Sequence, residues 1–109
     1  MIKQVLVVNL KSNMSLGRLA AQIAHSSQLA FGIPAVRELV LANPAECSPC
    51  TKVVLKGWGD EHLQELYDQA VLLGVPAALM AEDGFKTALA IGPWSKNQVD
   101  KVTSGLALR

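Results

Sequence analysis

The chain opens on nine residues, Ile2–Leu10 (IKQVLVVNL), that are mostly apolar and β-branched. Such a run predicts a strand covered on both faces, as in a parallel or mixed sheet. Lys11-Ser12-Asn13 interrupts it, and the spacing then changes. Leu16, Leu19, Ala20, Ile23, Ala24 and Ala30 recur at helical intervals, which predicts a helix over Ser15–Phe31. Ser12, Asn13 or Ser15 can cap it by accepting from its free N–H groups, and Gly32 can end it. Pro34 suits the first turn of a second helix with an apolar face of Val36, Leu39 and Val40, ending near Asn43-Pro44. Pro44–Thr51 reads as a loop.

Lys52–Lys56 (KVVLK) is short, β-branched and bounded by turn signals, hence a second strand. Asp60 is placed to cap the next helix, and Glu61 suits its positive end. Leu63, Leu66, Tyr67, Ala70 and Val71 carry that helix as far as Gly74. Val75–Met80 reads as a third strand, with Pro76 tolerable only at its beginning. Glu82-Asp83-Gly84 forms a tight loop, and Thr87–Ile91 a fourth strand closed by Gly92-Pro93. Ser95 and Gln98 have capping-box spacing ahead of a last helix bearing Val99 and Val102, with Leu106 as a further candidate. Helical crossovers favour parallel pairing, and the short link between the third and fourth strands favours an antiparallel pair. The expected fold is α/β: a three-layer sandwich, with a four-stranded mixed sheet and helices on both faces.

Composition adds constraints. With 109 residues, one domain over 1–109 is expected. Half the residues are hydrophobic and only 5% aromatic, so the core must rest on Leu, Val, Ile and Ala. A formal charge of +1 gives no strong overall pull on nucleic acid, so an RNA partner would need basic residues gathered on one face. Lys11, Lys52, Lys56, Lys86, Lys96 and Lys101 are candidates for such a face; scattered solubilising charge is the plainer alternative. Met1–Leu10 lacks the features of a signal peptide, and no stretch reaches the ~18 apolar residues of a membrane span, so the cytoplasm is the expected location. Cys47 and Cys50 have the spacing of half a zinc site or a redox pair, but they follow a loop and precede a strand, the wrong side for a thioredoxin-like motif. Plain loop thiols are the simpler reading.

Several phrases carry more. Leu19-Ala20-Ala21-Gln22-Ile23-Ala24-His25, Lys52–Lys56, Gly74-Val75-Pro76-Ala77, Thr87–Pro93 (TALAIGP) and Val99–Leu106 (VDKVTSGL) occur in this order along the chain. Together they resemble the type-two (archaeal/eukaryotic-type) peptidyl-tRNA hydrolase family. The resemblance implies the same mixed α/β sandwich, a homodimer, no metal and no cofactor. It implies hydrolysis of the ester joining a peptide to the tRNA 3′ ribose, with peptidyl-tRNA or tRNA as partner.

That reaction needs an oriented, partly deprotonated water, donors for the carbonyl oxygen as it gains charge, and cations for RNA phosphates. Arg18, Gln22 and His25, at i, i+4 and i+7, share a helix face. The family carries a lysine where this chain has Arg18. Arginine cannot serve as a base but can bind phosphate or stabilise an oxyanion. Gln22 can orient water or a carbonyl, and His25 can carry a proton or sit hydrogen-bonded against the sheet. Asp83 matches the family's acidic residue after the third strand, where it can orient water or hold Arg18. Its alternative is ordinary Asp-Gly turn chemistry. Thr87 matches the threonine opening the fourth strand, and its alternative is β-propensity. Lys11 and Lys86 are candidates for substrate binding. His62 reads as a surface residue. Trp58 and Trp94 can stack on bases or simply pack at an edge.

The chief departure from the family lies between Gly84 and Thr87, where only Phe85-Lys86 stands in place of a longer polar stretch. Two functions therefore compete with a hydrolase: a non-catalytic dimeric module binding RNA or protein, and a thiol or zinc role for Cys47 and Cys50. The hydrolase reading requires Arg18 and Asp83 to share one cleft.

Overall fold

The computed structural model describes residues 1–47 and 49–105, so Leu106 lies outside the described residues. Strand β1 (Ile2–Asn9) is followed by helices α1 (Leu16–Phe31) and α2 (Pro34–Ala42), strand β2 (Thr51–Gly57) and helix α3 (Asp60–Leu72). Strands β3 (Ala77–Glu82) and β4 (Phe85–Ser95) and helix α4 (Lys96–Thr103) complete the order. The sheet runs β2-β1-β4-β3. β1 and β2 are parallel, while β4 is antiparallel to both β1 and β3. The expected mixed sheet and crossover pattern are present.

Alternation along β1 assigns the two faces. Val5 and Val7 point to one side, into a core with Leu63, Leu66 and Ala70 of α3 and Val99 and Val102 of α4. Leu6 points to the other, against Ala30 and Ile23 of α1, and Ile2 meets Leu39 and Val40 of α2. Both faces of β1 are thus covered by helices, which explains why its sequence is apolar without alternation. The buried Gln4 is held on the α1 side: it accepts from Ser27 Oγ at 2.8 Å and donates to Gly92 O at 3.2 Å.

Several boundaries differ from the sequence expectation. β3 begins at Ala77, because Val75 N instead donates to Ala70 O at 2.8 Å and closes the end of α3. β4 does not stop at Gly92-Pro93 but continues to Ser95, with a register shift between Lys3 and Val5 of β1 where the chain passes Gly92. Gly59, not Asp60, is the cap residue of α3, and Ser95 makes no side-chain cap bond to α4. Ser15 does cap α1, its Oγ accepting from Arg18 N at 3.3 Å.

Between β3 and β4, Asp83 (φ 51°) and Gly84 (φ 82°) both adopt positive φ. That is the backbone of a two-residue type I′ hairpin turn, for which Asp-Gly is a preferred pair. Phe85 and Lys86 are therefore strand residues, and the connection is shorter than the sequence suggests. Among the described residues, no helix is long and apolar enough to cross a membrane.

Two outcomes are expected. Gly92 has φ 81°, and a Cβ there would lie 2.7 Å from Trp94 N and 2.8 Å from Lys3 O. Gly92→Ala should cost about 2–4 kcal/mol in urea unfolding, from backbone strain plus displaced neighbours. On α4, Lys3 foremost and then Lys96 donate to Asp100 and hold its carboxyl below the ordinary 3.8. A depressed folded-state value stabilises above the unfolded one and is lost as pH falls through it. Asp100→Asn should therefore be less stable than wild type at neutral pH, with the gap closing as the pH drops below 3.8.

Candidate functional site

The end of β1 fixes the site's frame. Asn9, 2% exposed, donates from Nδ2 to Lys86 O at 2.7 Å and to Asp60 Oδ1 at 3.1 Å. Its Oδ1 accepts from Lys11 N at 2.9 Å. Asp60 Oδ2 in turn accepts from Lys86 N at 3.3 Å. One carboxamide thus ties together the β1–α1 link, the start of α3 and the start of β4. Asp60 serves that junction instead of capping its own helix.

Beside the junction, on the α1 side, lies a hollow of about 230 Å³. The β1–α1 link lines it with Lys11 to Met14, α1 with Arg18, the hairpin turn with Asp83, and β4 with Phe85 and Thr87. The required shared cleft for Arg18 and Asp83 is present. Under its floor, Thr87 Oγ1 donates to Oε1 of the buried Gln22 at 2.7 Å, with Met80 O 3.2 Å away as a second acceptor. Gln22 therefore holds Thr87 in place from beneath.

The expected ion pair across the hollow is different. Arg18 Nη2 meets Glu82 Oε1 at 2.7 Å, so Glu82, not Asp83, restrains the guanidinium. Glu82 Oε2 is buried and has no partner among the described residues. Asp83 lines the hollow from the turn, with no side-chain ion pair among the described residues. Sequence reasoning missed Glu82 and Phe85 as site residues. The Asp-Gly turn carried the signal: a two-residue hairpin sets Glu82 opposite Phe85, and Phe85 shares a strand face with Thr87.

Two candidates fall elsewhere. His25 is exposed on α1, about 10 Å along the axis from Arg18 at 1.5 Å per residue, and does not line the hollow. Lys86 alternates to the opposite face of β4 and lines a separate depression with Asp60, Glu61, Gln64 and Glu65. The basic residues do not form one uniform face either. Lys96 is engaged with Asp100, and Lys52 lies 5.1 Å from the centre of the Phe31 ring. His62 Nδ1 accepts from Trp58 N at 2.9 Å, a local bond at the start of α3. Trp94 packs against the core, while Trp58 is about half exposed.

Cys47 and Cys50 are buried against Ile2. Burial, and next the hydrogen bond with Cys47, pushes the Cys50 thiol up to about 11. It is therefore protonated near neutrality, which suits packing better than thiolate chemistry. Among the described residues, no group of three or more His, Cys, Asp or Glu side chains is placed to hold a metal ion.

Comparison with known proteins gives a concordant result. The family model described as "Peptidyl-tRNA hydrolase PTH2" matches residues 2–109. A protein of Methanopyrus kandleri named peptidyl-tRNA hydrolase is 38% identical, over 99% of this chain and 98% of its own length. One of Halobacterium salinarum with the same name is 34% identical, over 98% of this chain and 99% of its own. The bovine "Peptidyl-tRNA hydrolase 2, mitochondrial" is 34% identical, over 97% of this chain and 63% of its own length.

The Gln22–Thr87 bond can be tested by stability. Thr87→Val strands a buried acceptor and should cost about 1–3 kcal/mol. Gln22→Leu added to it removes the orphan and should recover most of that loss. A urea double-mutant cycle reads the coupling directly.

Proposed function

We propose, from the premise that this chain belongs to the PTH2 family of peptidyl-tRNA hydrolases, that it hydrolyses the ester of peptidyl-tRNA to give free peptide and tRNA. The observation that carries the proposal is the convergence of Arg18, Asp83 and Thr87 on one hollow, in a chain matched from end to end by relatives of that name.

The chemistry follows from the side chains. The ester carbonyl carbon is attacked by water, and the carbonyl oxygen gains negative charge. Arg18 stands at the hollow with a charge that Glu82 Oε1 orients, ready to stabilise that oxygen. Thr87, almost wholly buried, commits its only hydroxyl proton to Gln22 and so fixes the floor on which the water is positioned. The Asp83 carboxylate, on the turn, takes the proton that water loses as its oxygen bonds to carbon. As the tetrahedral intermediate collapses, the ester C–O bond breaks, and the ribose oxygen leaves with a proton returned through Asp83 or solvent. Lys11 meets the adjoining phosphate. No step uses His25 or Lys86.

The shortened hairpin raised the competing reading of a non-catalytic binding module. The assembled hollow and the named relatives favour hydrolysis. The same reading assigns the protein to translation in the cytoplasm. It also assigns a homodimer, supported by Val71, Leu72 and Leu73 at the end of α3, which leave apolar side chains exposed in a row.

Purified protein should release peptide from N-acetylaminoacyl-tRNA. Arg18→Ala and Asp83→Asn should each lower kcat/KM by about 10²-fold or more. Lys86→Ala should stay within about threefold of wild type, and Lys11→Ala should flatten the salt dependence of tRNA binding by about one unit of slope. No turnover by wild type at high enzyme concentration defeats the proposal.

A further inference from the structure

Phe85 is the aromatic residue lining the hollow, and the hydrolytic chemistry leaves it unused. Its side chain is 61% exposed, although it is the first residue of a strand that is otherwise largely buried from Thr87 to Pro93. The two-residue turn leaves the ring no freedom to retreat into a loop: Phe85 is register-paired with Glu82 and held between the turn and Lys86, whose backbone is bonded on both sides. The ring lines the same hollow as Thr87. Lys11 and Arg18 approach the same hollow from the β1–α1 side. An exposed aromatic face beside cations is an arrangement that binds single-stranded nucleic acid, here with the ring taking a base, Lys11 a phosphate and Arg18 left to the ester carbonyl.

We infer that Phe85 is the stacking platform for the 3′-terminal nucleobase of the tRNA substrate, so that this subsite measures the scissile ester against Thr87. The inference rests on the hydrolase reading above and names a contact within it. Phe85 and Thr87 lie two residues apart on β4 and line the same hollow, so one substrate end can meet both. A hollow of about 230 Å³ is small for a whole ligand site and fits the tip of a large substrate. The base is the better occupant than a peptide side chain: the terminal adenosine is the same on every tRNA, whereas the peptide varies. A fixed aromatic contact serves the invariant partner.

The test uses the whole protein and a short RNA ending in CC with 2-aminopurine as its last base. Stacking on the ring should quench the 2-aminopurine fluorescence with wild type and with Phe85→Tyr. Phe85→Leu, which keeps an apolar side chain at an exposed site and should fold normally by circular dichroism, should bind about tenfold or more weakly and without quenching. With N-acetylaminoacyl-tRNA, the Phe85→Leu loss should appear in KM, be restored by Phe85→Tyr, and be equal for acetylglycyl and acetylphenylalanyl esters. Undiminished quenching in Phe85→Leu overturns the inference, as does a loss confined to the acetylphenylalanyl ester, which would assign the ring to the peptide. Wild-type hydrolysis without quenching sinks the subsite alone. Quenching that depends on Phe85, without hydrolysis, supports the stacking contact and counts against the hydrolase reading.

Discussion

The carboxamide of Asn9 is the constraint on which the site depends. It stands at the carboxyl end of β1, nearly inaccessible to water, and its three hydrogen bonds reach three different parts of the chain. A buried amide of this kind costs free energy unless its groups are paired, and here both its oxygen and its nitrogen are. The bonds lock the Lys11 backbone, the first residue of α3 and the start of β4 into one rigid corner. Removing that amide would strand the Lys86 carbonyl and one oxygen of Asp60, and would loosen both walls of the hollow at once. In open α/β sheets, ligands commonly lie outside the carboxyl ends of strands. Here that position follows from a local cause: β1 ends in the residue that organises the loops beyond it.

Gln22 supplies the complementary restraint from the opposite side. It is on a helix face that a hydropathy pattern would leave to solvent, yet it is buried and spends its oxygen on the Thr87 hydroxyl. Arg18, one turn earlier, is exposed and spends one nitrogen on Glu82. The two residues show how one helix divides its labour along its length. The turn near the N-terminus presents charge to the hollow, and the next turn fixes the hollow's floor. His25, two turns along, has passed beyond the reach of either task.

Most of the architecture was legible because the apolar spacing of β1, α1 and α3 obeys the periods of buried strands and amphipathic helices. The failures share a physical origin in tertiary bonds that local pattern does not encode. Asp60 has the look of a cap, but Asn9 and Lys86 compete for its carboxylate and win. Gly92-Pro93 has the look of a strand end, but Gly92 bridges to Pro76 and Gln4 and the strand goes on beyond them. The family resemblance singled out Arg18, Asp83 and Thr87, which the structure brings to one hollow. Lys86 was misplaced because a one-residue offset in a strand reverses the face. Glu82 and Phe85 escaped because they read as part of the link between the strands, whereas both are strand residues whose side chains reach the α1 side.

That turn also bears on how the site can work. A long polar loop can close over a substrate and exclude water by moving. A two-residue hairpin cannot, because both of its residues are fixed in positive φ and both flanking residues belong to the ladder. Whatever positioning the reaction needs must then come from groups already held on rigid elements, which is the arrangement that best preserves catalytic geometry. Glu82 holding Arg18 and Gln22 holding Thr87 are such restraints, and both act without any conformational step. The short hairpin is therefore compatible with catalysis so long as the tRNA end itself covers the hollow, with the substrate supplying the closure that this hairpin cannot.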